Sequence, residues 1–291
     1  MENLIGFVGL GSIGCPVVKN LLDSGFNIQV YNRSFIDEKI SSLNGIKICP
    51  SAKEAAKGCK YFLLCVTDDS AVENVLFGLD GASKSLQQGS IIIDLSTISP
   101  WKARSLAKRF LKQHITYIDA PVTGGTEGAL SGELTMFLGC RNTLKEKILP
   151  ILDSIASNYY FFDEVGKGQE VKAINQILIA GTYSALSEAI ALGQNLRLPM
   201  EVVIKALQQG AASSWALSNR SEFMLKNEYP LGFKLELHHK DLDIALRTAE
   251  MSGINLPVTK TVRDIESSLI EQGYGNEDIS VLRKSIVKKN S

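Results

Sequence analysis

The strand-like run Leu4-Ile5-Gly6-Phe7-Val8 leads directly into Gly9-Leu10-Gly11-Ser12-Ile13-Gly14, and a helical pattern follows over residues 16–22. A G-x-G-x-x-G at the junction of a first strand and a first helix constrains the backbone more than any other stretch of this chain. The first glycine permits the tight turn, and the second lets a pyrophosphate approach the backbone. The third allows the helix to pack closely on the strand. Phosphates would lie at the helix N-terminus, where unsatisfied N–H groups and the helix dipole favour an anion. Pro16 falls in the first turn, where its missing N–H costs no helical bond. Gly9, Leu10, Gly11, Ser12, Ile13 and Gly14 are therefore candidate dinucleotide contacts.

The surrounding pattern fits that junction. Residues 28–31, 61–66, 91–94, 116–119 and 135–139 read as short strands separated by helical segments. Such alternation argues for βαβ units and a largely parallel sheet covered on both faces. Right-handed crossovers then make the sheet doubly wound. Near Gly166 the character changes: residues 169–197 form one long helical run without proline. Helical patterns recur at 202–208, 215–225, 240–251, 257–272 and 279–287, punctuated by Pro199, Gly210, Pro230, Gly253 and Gly273. A length of 291 residues also predicts two domains. The expected fold is α/β: an N-terminal Rossmann doubly wound sheet over residues 1–165, then an all-α C-terminal domain over 166–291, joined by a long helix.

Composition narrows the partners. With 31 basic and 31 acidic residues the chain exerts no long-range pull on polyanions, so neither nucleic acid nor a membrane surface is expected. A local basic site stays compatible with that balance. Arg283, Lys284, Lys288 and Lys289 read as a solvated helix end. The apolar stretch 174–192 is interrupted by Asn175, Gln176 and Glu188, and reads as a buried helix rather than a membrane span. Cys15, Cys49, Cys59, Cys65 and Cys140 form no C-x-x-C pair and suit reduced thiols in a cytoplasmic protein. Three histidines make a multi-histidine metal centre improbable, and no metal is expected. The first strand begins too early to leave room for a signal or transit peptide.

The second strand ends in Tyr31-Asn32-Arg33-Ser34. NAD sites usually carry Asp or Glu there to bond the ribose 2′-OH. Neutral Asn32 removes the carboxylate that would repel a 2′-phosphate, and Arg33 can clamp that phosphate bidentately. Asn32, Arg33 and Ser34 therefore point to NADP(H) in preference to NAD(H), the plain alternative being a solvated arginine. Ligands of open parallel sheets bind beyond the carboxyl ends of the strands. Val66 and Thr67 should accordingly border the nicotinamide half, while Ser96 and Thr97 read either as ligand contacts or as helix caps before Pro100.

Asp119-Ala120-Pro121-Val122-Thr123-Gly124-Gly125 ends a strand in a hydroxyl and two glycines, whose N–H groups could hold a carboxylate. The stretch continues through Glu127-Gly128-Ala129 to Gly132. Gly166-Lys167-Gly168 precedes the long helix, which carries Lys172 and Asn175. Residues three apart share a helix face, so this ammonium and amide can converge on one ligand, unless the face is simply solvated. Lys240-Asp241-Leu242 begins a further helix, with Phe233 upstream.

These four blocks, in this order, resemble the β-hydroxyacid dehydrogenase family, relatives of 3-hydroxyisobutyrate dehydrogenase and, more distantly, of 6-phosphogluconate dehydrogenase. The resemblance covers nearly the whole chain. The family pattern has serine after the proline–valine pair where this chain has Thr123, which keeps the hydroxyl. The resemblance implies that Lys172 is the catalytic acid/base and that Ser96, Thr123, Gly124, Gly125 and Asn175 bind substrate, with Phe233 walling the site. It implies that Thr97 and Lys240 contact cofactor, supported by Asp241. The activity implied is NADP(H)-dependent interconversion of a small anionic β-hydroxy acid and its semialdehyde, of the 3-hydroxyisobutyrate or tartronate semialdehyde type, in a homodimer or homotetramer. Glyoxylate and succinic semialdehyde reductases are the alternative within the family. The loop Gly124-Gly125-Thr126-Glu127-Gly128 looks more like the first branch. A non-catalytic NADP-binding module in a protein complex is the alternative of another class. Against it, Lys172 is retained and no basic or chromatin-reader segment is appended.

Overall fold

The computed structural model describes residues 3–34 and 42–286, which form two compact units, Met1–Lys172 and Ala173–Ser291. Lys288 and Lys289, and the last residue of the 279–287 pattern, lie outside the described residues.

In the first unit, β1 (Leu4–Val8), β2 (Asn27–Tyr31), β3 (Ile46–Ile48), β4 (Tyr61–Leu64), β5 (Ile91–Asp94) and β6 (Thr116–Asp119) pair in parallel in the order β3-β2-β1-β4-β5-β6. β4 and β5 are buried at every position, as strands covered on both faces must be. Alternate residues go to opposite cores. Ile5, Phe7, Leu63 and Ile93 pack with Val17, Val18 and Leu21 of α1 (Gly14–Asp23). Val8, Phe62, Leu64 and Ile92 pack with residues of α2 (Ala52–Ala56), α3 (Asp69–Phe77) and α4 (Pro100–Leu111). Ser51, Asp68 and Ser99 start those three helices, each side chain accepting a backbone N–H three residues on. The cap before Pro100 is thus Ser99, not Ser96 or Thr97.

Residues 135–139 do not join the parallel sheet. A second sheet is built from β7 (Val122–Thr123), β8 (Leu134–Leu138) and β9 (Ala156–Phe161), with β7 antiparallel and β9 parallel to β8. Pro121, which cannot donate to a ladder, stands between β6 and β7 where the chain leaves the main sheet. α5 (Gly125–Ser131) and α6 (Lys145–Ile155) connect these strands.

α7 (Lys167–Asn195) begins in the first unit and continues into the second, so the division between units falls within its first two turns. The second unit adds α8 (Met200–Leu207), α9 (Trp215–Asn219), α10 (Ser221–Leu225), α11 (Leu235–Met251), α12 (Pro257–Glu271) and a 3-10 helix, Ile279–Ser285. Tyr183, Leu186 and Ile190 form its core with Leu217, Met224, Leu235, Leu242, Val262, Leu269 and Leu282.

Four expectations change here. The 215–225 pattern breaks at Arg220, whose guanidinium lies over the Trp215 ring. α11 starts at Leu235 rather than Lys240, because Leu235 is fully buried and its N–H donates to the Glu277 carbonyl. Arg283 is buried, donating to Gln194 at 2.7 Å, so it is not part of a solvated end. The stretch 174–192 is only half buried: Ile174, Leu178 and Leu192 stand exposed on one side of α7.

Candidate active site

The dinucleotide loop has the shape its glycines predict. Gly9 has φ +100°, and a Cβ there would lie 2.1 Å from the Cys65 carbonyl oxygen. A Cβ on Gly14 would lie 1.9 Å from the Gly9 carbonyl oxygen, so the helix sits directly on the turn. A Cβ on Gly11 would meet nothing within 4 Å. The middle glycine therefore faces open space at the start of α1, which no side chain caps. Two glycines closed by backbone and one left open are what a pyrophosphate at a helix N-terminus requires. Gly9 and Cys65 follow β1 and β4 at the switch point of strand order, where such ligands bind.

Asn32 braces this loop. Its Oδ1 accepts from Leu10 N at 3.0 Å, and its Nδ2 donates to the Ser34 hydroxyl at 3.1 Å. Arg33 and Ser34 are exposed beside it. After β4, Ser96 Oγ accepts from Val66 N at 2.9 Å, while Thr67 is exposed and donates to Asp68. Ser96 itself is buried, and its N–H donates to Asp94. Thr97, next to it, is half-buried.

Beneath these loops lies a buried polar layer that motif reading did not single out. Tyr117 Oη donates to Asp94 Oδ2 at 2.7 Å. Burial pushes the Asp94 carboxyl up to about 6, against hydrogen bonds from Tyr117 and Ser96 that lower it. Burial also drives the Tyr117 phenol well above its usual value. Asp119 is fully buried and accepts from Gly166 N at 2.7 Å and Gln169 N at 3.0 Å. Its carboxyl too is pushed up to about 6 by burial. Gln169 donates to the Ser96 carbonyl at 2.9 Å and accepts from Ile98 N at 3.1 Å. The only sequence signal for Gln169 was its place one helical turn before Lys172.

Lys172, 6 % exposed, donates from Nζ to the Val122 carbonyl at 2.8 Å. This carbonyl immediately precedes Thr123, which is half-buried, and Gly124, which is exposed with φ +123°. Gly125 follows with φ +63° and opens α5. A cation, a hydroxyl and a glycine-rich backbone thus adjoin at the carboxyl end of β6. They can bind a small anion and exchange a proton with it.

In the second unit, Asn175 Nδ2 donates to Gln176 Oε1 at 2.7 Å, and Gln176 Nε2 donates to Asp241 Oδ2 at 2.8 Å. Lys240 Nζ lies 2.9 Å from Asp241 Oδ1. His238 Nδ1 meets Glu266 Oε1 at 2.6 Å with both side chains fully buried, and Phe233 stands edge-on to the His238 ring at 5.8 Å. Asp278 fixes the turn before α11 by accepting from Gly232 N and Phe233 N. Gln176 and His238, which link these predicted residues, carried no motif signal.

Comparison with known proteins agrees with both halves. Residues 4–165 match the NAD binding domain of 6-phosphogluconate dehydrogenase. Residues 166–286 match the NAD-binding domain of NADP-dependent 3-hydroxyisobutyrate dehydrogenase. The chain is 32 % identical over 282 residues to 2-hydroxy-3-oxopropionate reductase of Escherichia coli, covering 97 % of this chain and 96 % of that one. It is 31 % identical over 283 residues to 2-(hydroxymethyl)glutarate dehydrogenase of Eubacterium barkeri, covering 96 % and 93 %. The crystal structure of 3-hydroxyisobutyrate dehydrogenase from Salmonella typhimurium superposes with a TM-score of 0.86 at 29 % identity, covering 97 % and 99 % of the two chains. With a dinucleotide cradle at β1 and a buried lysine at the carboxyl end of β6, the chain belongs to the 3-hydroxyisobutyrate dehydrogenase family and is an NAD(P)-dependent oxidoreductase of the hydroxyacid dehydrogenase type.

Proposed function

We propose that this enzyme interconverts a small β-hydroxy acid and its semialdehyde with NADP(H), in the manner of the tartronate semialdehyde and 3-hydroxyisobutyrate relatives. The observation that carries the reading is Lys172 Nζ held at the Val122 carbonyl, beside Thr123 and Gly124. When bound, the nicotinamide supplies or accepts the hydride. Lys172 as an ammonium donates its proton to the developing alkoxide during reduction, and as a neutral amine removes it during oxidation. Its positive charge also stabilises the oxyanion. Thr123, Gly124, Gly125 and Ser96 hold the substrate carboxylate and so fix which carbon reacts.

Gly9, Gly11 and Gly14 seat the pyrophosphate, and Arg33 with Ser34 takes the 2′-phosphate that selects NADP(H). Val66, Thr67 and Thr97 border the nicotinamide half. In the second unit, the family resemblance supports Asn175 and Phe233 as substrate contacts and Lys240 and Asp241 as cofactor contacts. The exposed apolar side of α7, Ile174, Leu178, Leu192 and Leu196 just beyond it, supports a homo-oligomer. The five cysteines, none of them in a C-x-x-C pair, suit the cytoplasm.

The test is kcat/KM for tartronate semialdehyde, methylmalonate semialdehyde, glyoxylate and succinic semialdehyde, each with NADPH and with NADH. Tartronate or methylmalonate semialdehyde should lead, with NADPH favoured. Turnover of none of the four would refute the reading.

A further inference from the structure

The Asp119 carboxylate, buried at the end of β6, is used twice by the start of α7, through Gly166 N on Oδ1 and Gln169 N on Oδ2. Two glycines make that approach possible. A Cβ on Gly139 would lie 2.1 Å from Asp119 Oδ1. A Cβ on Gly168 would lie 2.3 Å from the Phe137 carbonyl oxygen and 2.9 Å from Asp119 Oδ2. The Phe137 carbonyl is backbone and cannot swing aside, so a side chain at position 168 would push the helix off the strand ends. Lys172 follows Gln169 by one turn, and its Nζ reaches the Val122 carbonyl.

We propose that Asp119 is a positioning residue for Lys172: its carboxylate seats the first turn of α7 against the end of β6 and so holds the ammonium beside Thr123. The proposal rests on Lys172 being the acid/base. A lysine stem supplies reach but little orientation, so the position of its backbone decides where the proton is delivered. A displacement of about 1 Å can cost about a hundredfold in rate. Both Asp119 oxygens accept from backbone N–H groups. An asparagine there would turn its amide, a donor, toward one of them and lose that bond. The helix would then be held on one side only.

The decisive experiment is Asp119→Asn made in the wild-type enzyme and again in Lys172→Ala, with steady-state kinetics and NADPH binding by fluorescence. A residue acting through another loses its effect once that other is gone, whereas an independent one does not. In the wild-type background kcat should fall about 10- to 100-fold. Substrate KM and the NADPH Kd should stay within about threefold, as a displaced proton donor leaves ground-state binding alone. In the Lys172→Ala background the added change should alter the residual turnover by less than about twofold. Wild-type kcat in Asp119→Asn, or an equal loss in both backgrounds, would overturn the positioning role. Wild-type kcat in Lys172→Ala would instead overturn the acid/base assignment, so the two failures are distinguishable. If Asp119→Asn does not fold, Gly168→Ala takes its place in the same cycle. It displaces the helix while keeping the carboxylate, and the same pattern of losses is expected.

Discussion

Lys172 Nζ, on a side chain only 6 % exposed, donates to the main-chain carbonyl of Val122 at 2.8 Å, which sets the ammonium directly before Thr123. An ammonium beside Thr123 and the Gly124-Gly125 turn can give its proton to a substrate and stabilise the charge that develops on it. Lys172→Ala should therefore lower kcat by about 100- to 10,000-fold, the usual range for loss of a general acid/base. The NADPH Kd should change less than about twofold, since the lysine lies outside the dinucleotide loop. Steady-state turnover and fluorescence titration check both numbers, and near-normal kcat would remove Lys172 from the chemistry.

Asn32 Oδ1 receives Leu10 N, which ties the end of β2 to the glycine loop without occupying Arg33. Arg33→Ala should raise the NADPH KM about tenfold or more while moving the NADH KM less than about twofold, because only NADPH carries the phosphate. Asn32→Asp keeps an acceptor for Leu10 N but places a negative charge near the 2′ position. It should shift preference toward NADH. Equal effects on the two cofactors would show that Arg33 is only a surface side chain.

The Asp94 carboxyl, raised by burial from 3.8 to about 6, makes stability depend on pH in a definite direction. A raised carboxyl contributes fully below its unfolded value, and that contribution is lost as pH climbs through the folded one. The difference amounts to on the order of 3 kcal/mol between pH 4 and 7.5. Urea unfolding of wild type and Asp94→Asn should show the advantage of wild type shrinking across that interval. A pH-independent difference between the two proteins would rule this out.

His238 and Glu266 meet at 2.6 Å with neither side chain exposed. Glu266 Oε2 has no hydrogen-bond partner among the described residues. Removing the histidine would leave a buried carboxyl with nothing to face. His238→Ala should cost about 3–5 kcal/mol in urea unfolding, whereas replacing both residues by apolar side chains of similar volume should recover most of it. A single substitution costing less than about 1 kcal/mol would mean that the pair is not coupled.

The dinucleotide cradle was legible because its requirements are local. A tight turn and a close helix each demand glycine at a fixed spacing, and Gly9 and Gly14 meet those demands in the structure, while a Cβ on Gly11 would meet nothing within 4 Å. The alternation of strands and helices is equally local, and it predicts the parallel sheet. It does not predict that β8 leaves that sheet, since pairing partners are a tertiary matter. The Asp94, Asp119 and Gln169 layer was not legible, since an aspartate at a strand end looks the same whether it faces solvent or caps a helix 47 residues away.

From the order of its residues alone, this chain determined which groups stand where along it: a glycine loop after the first strand, an arginine at the end of the second, and a lysine on a long helix. Tertiary structure alone decided where that lysine points, because two distant backbone segments, at Gly139 and at residues 166–169, must close on the Asp119 carboxylate before α7 has a place to begin. Local spacing can specify a turn; only packing can deny water to a carboxylate and make it hold a helix.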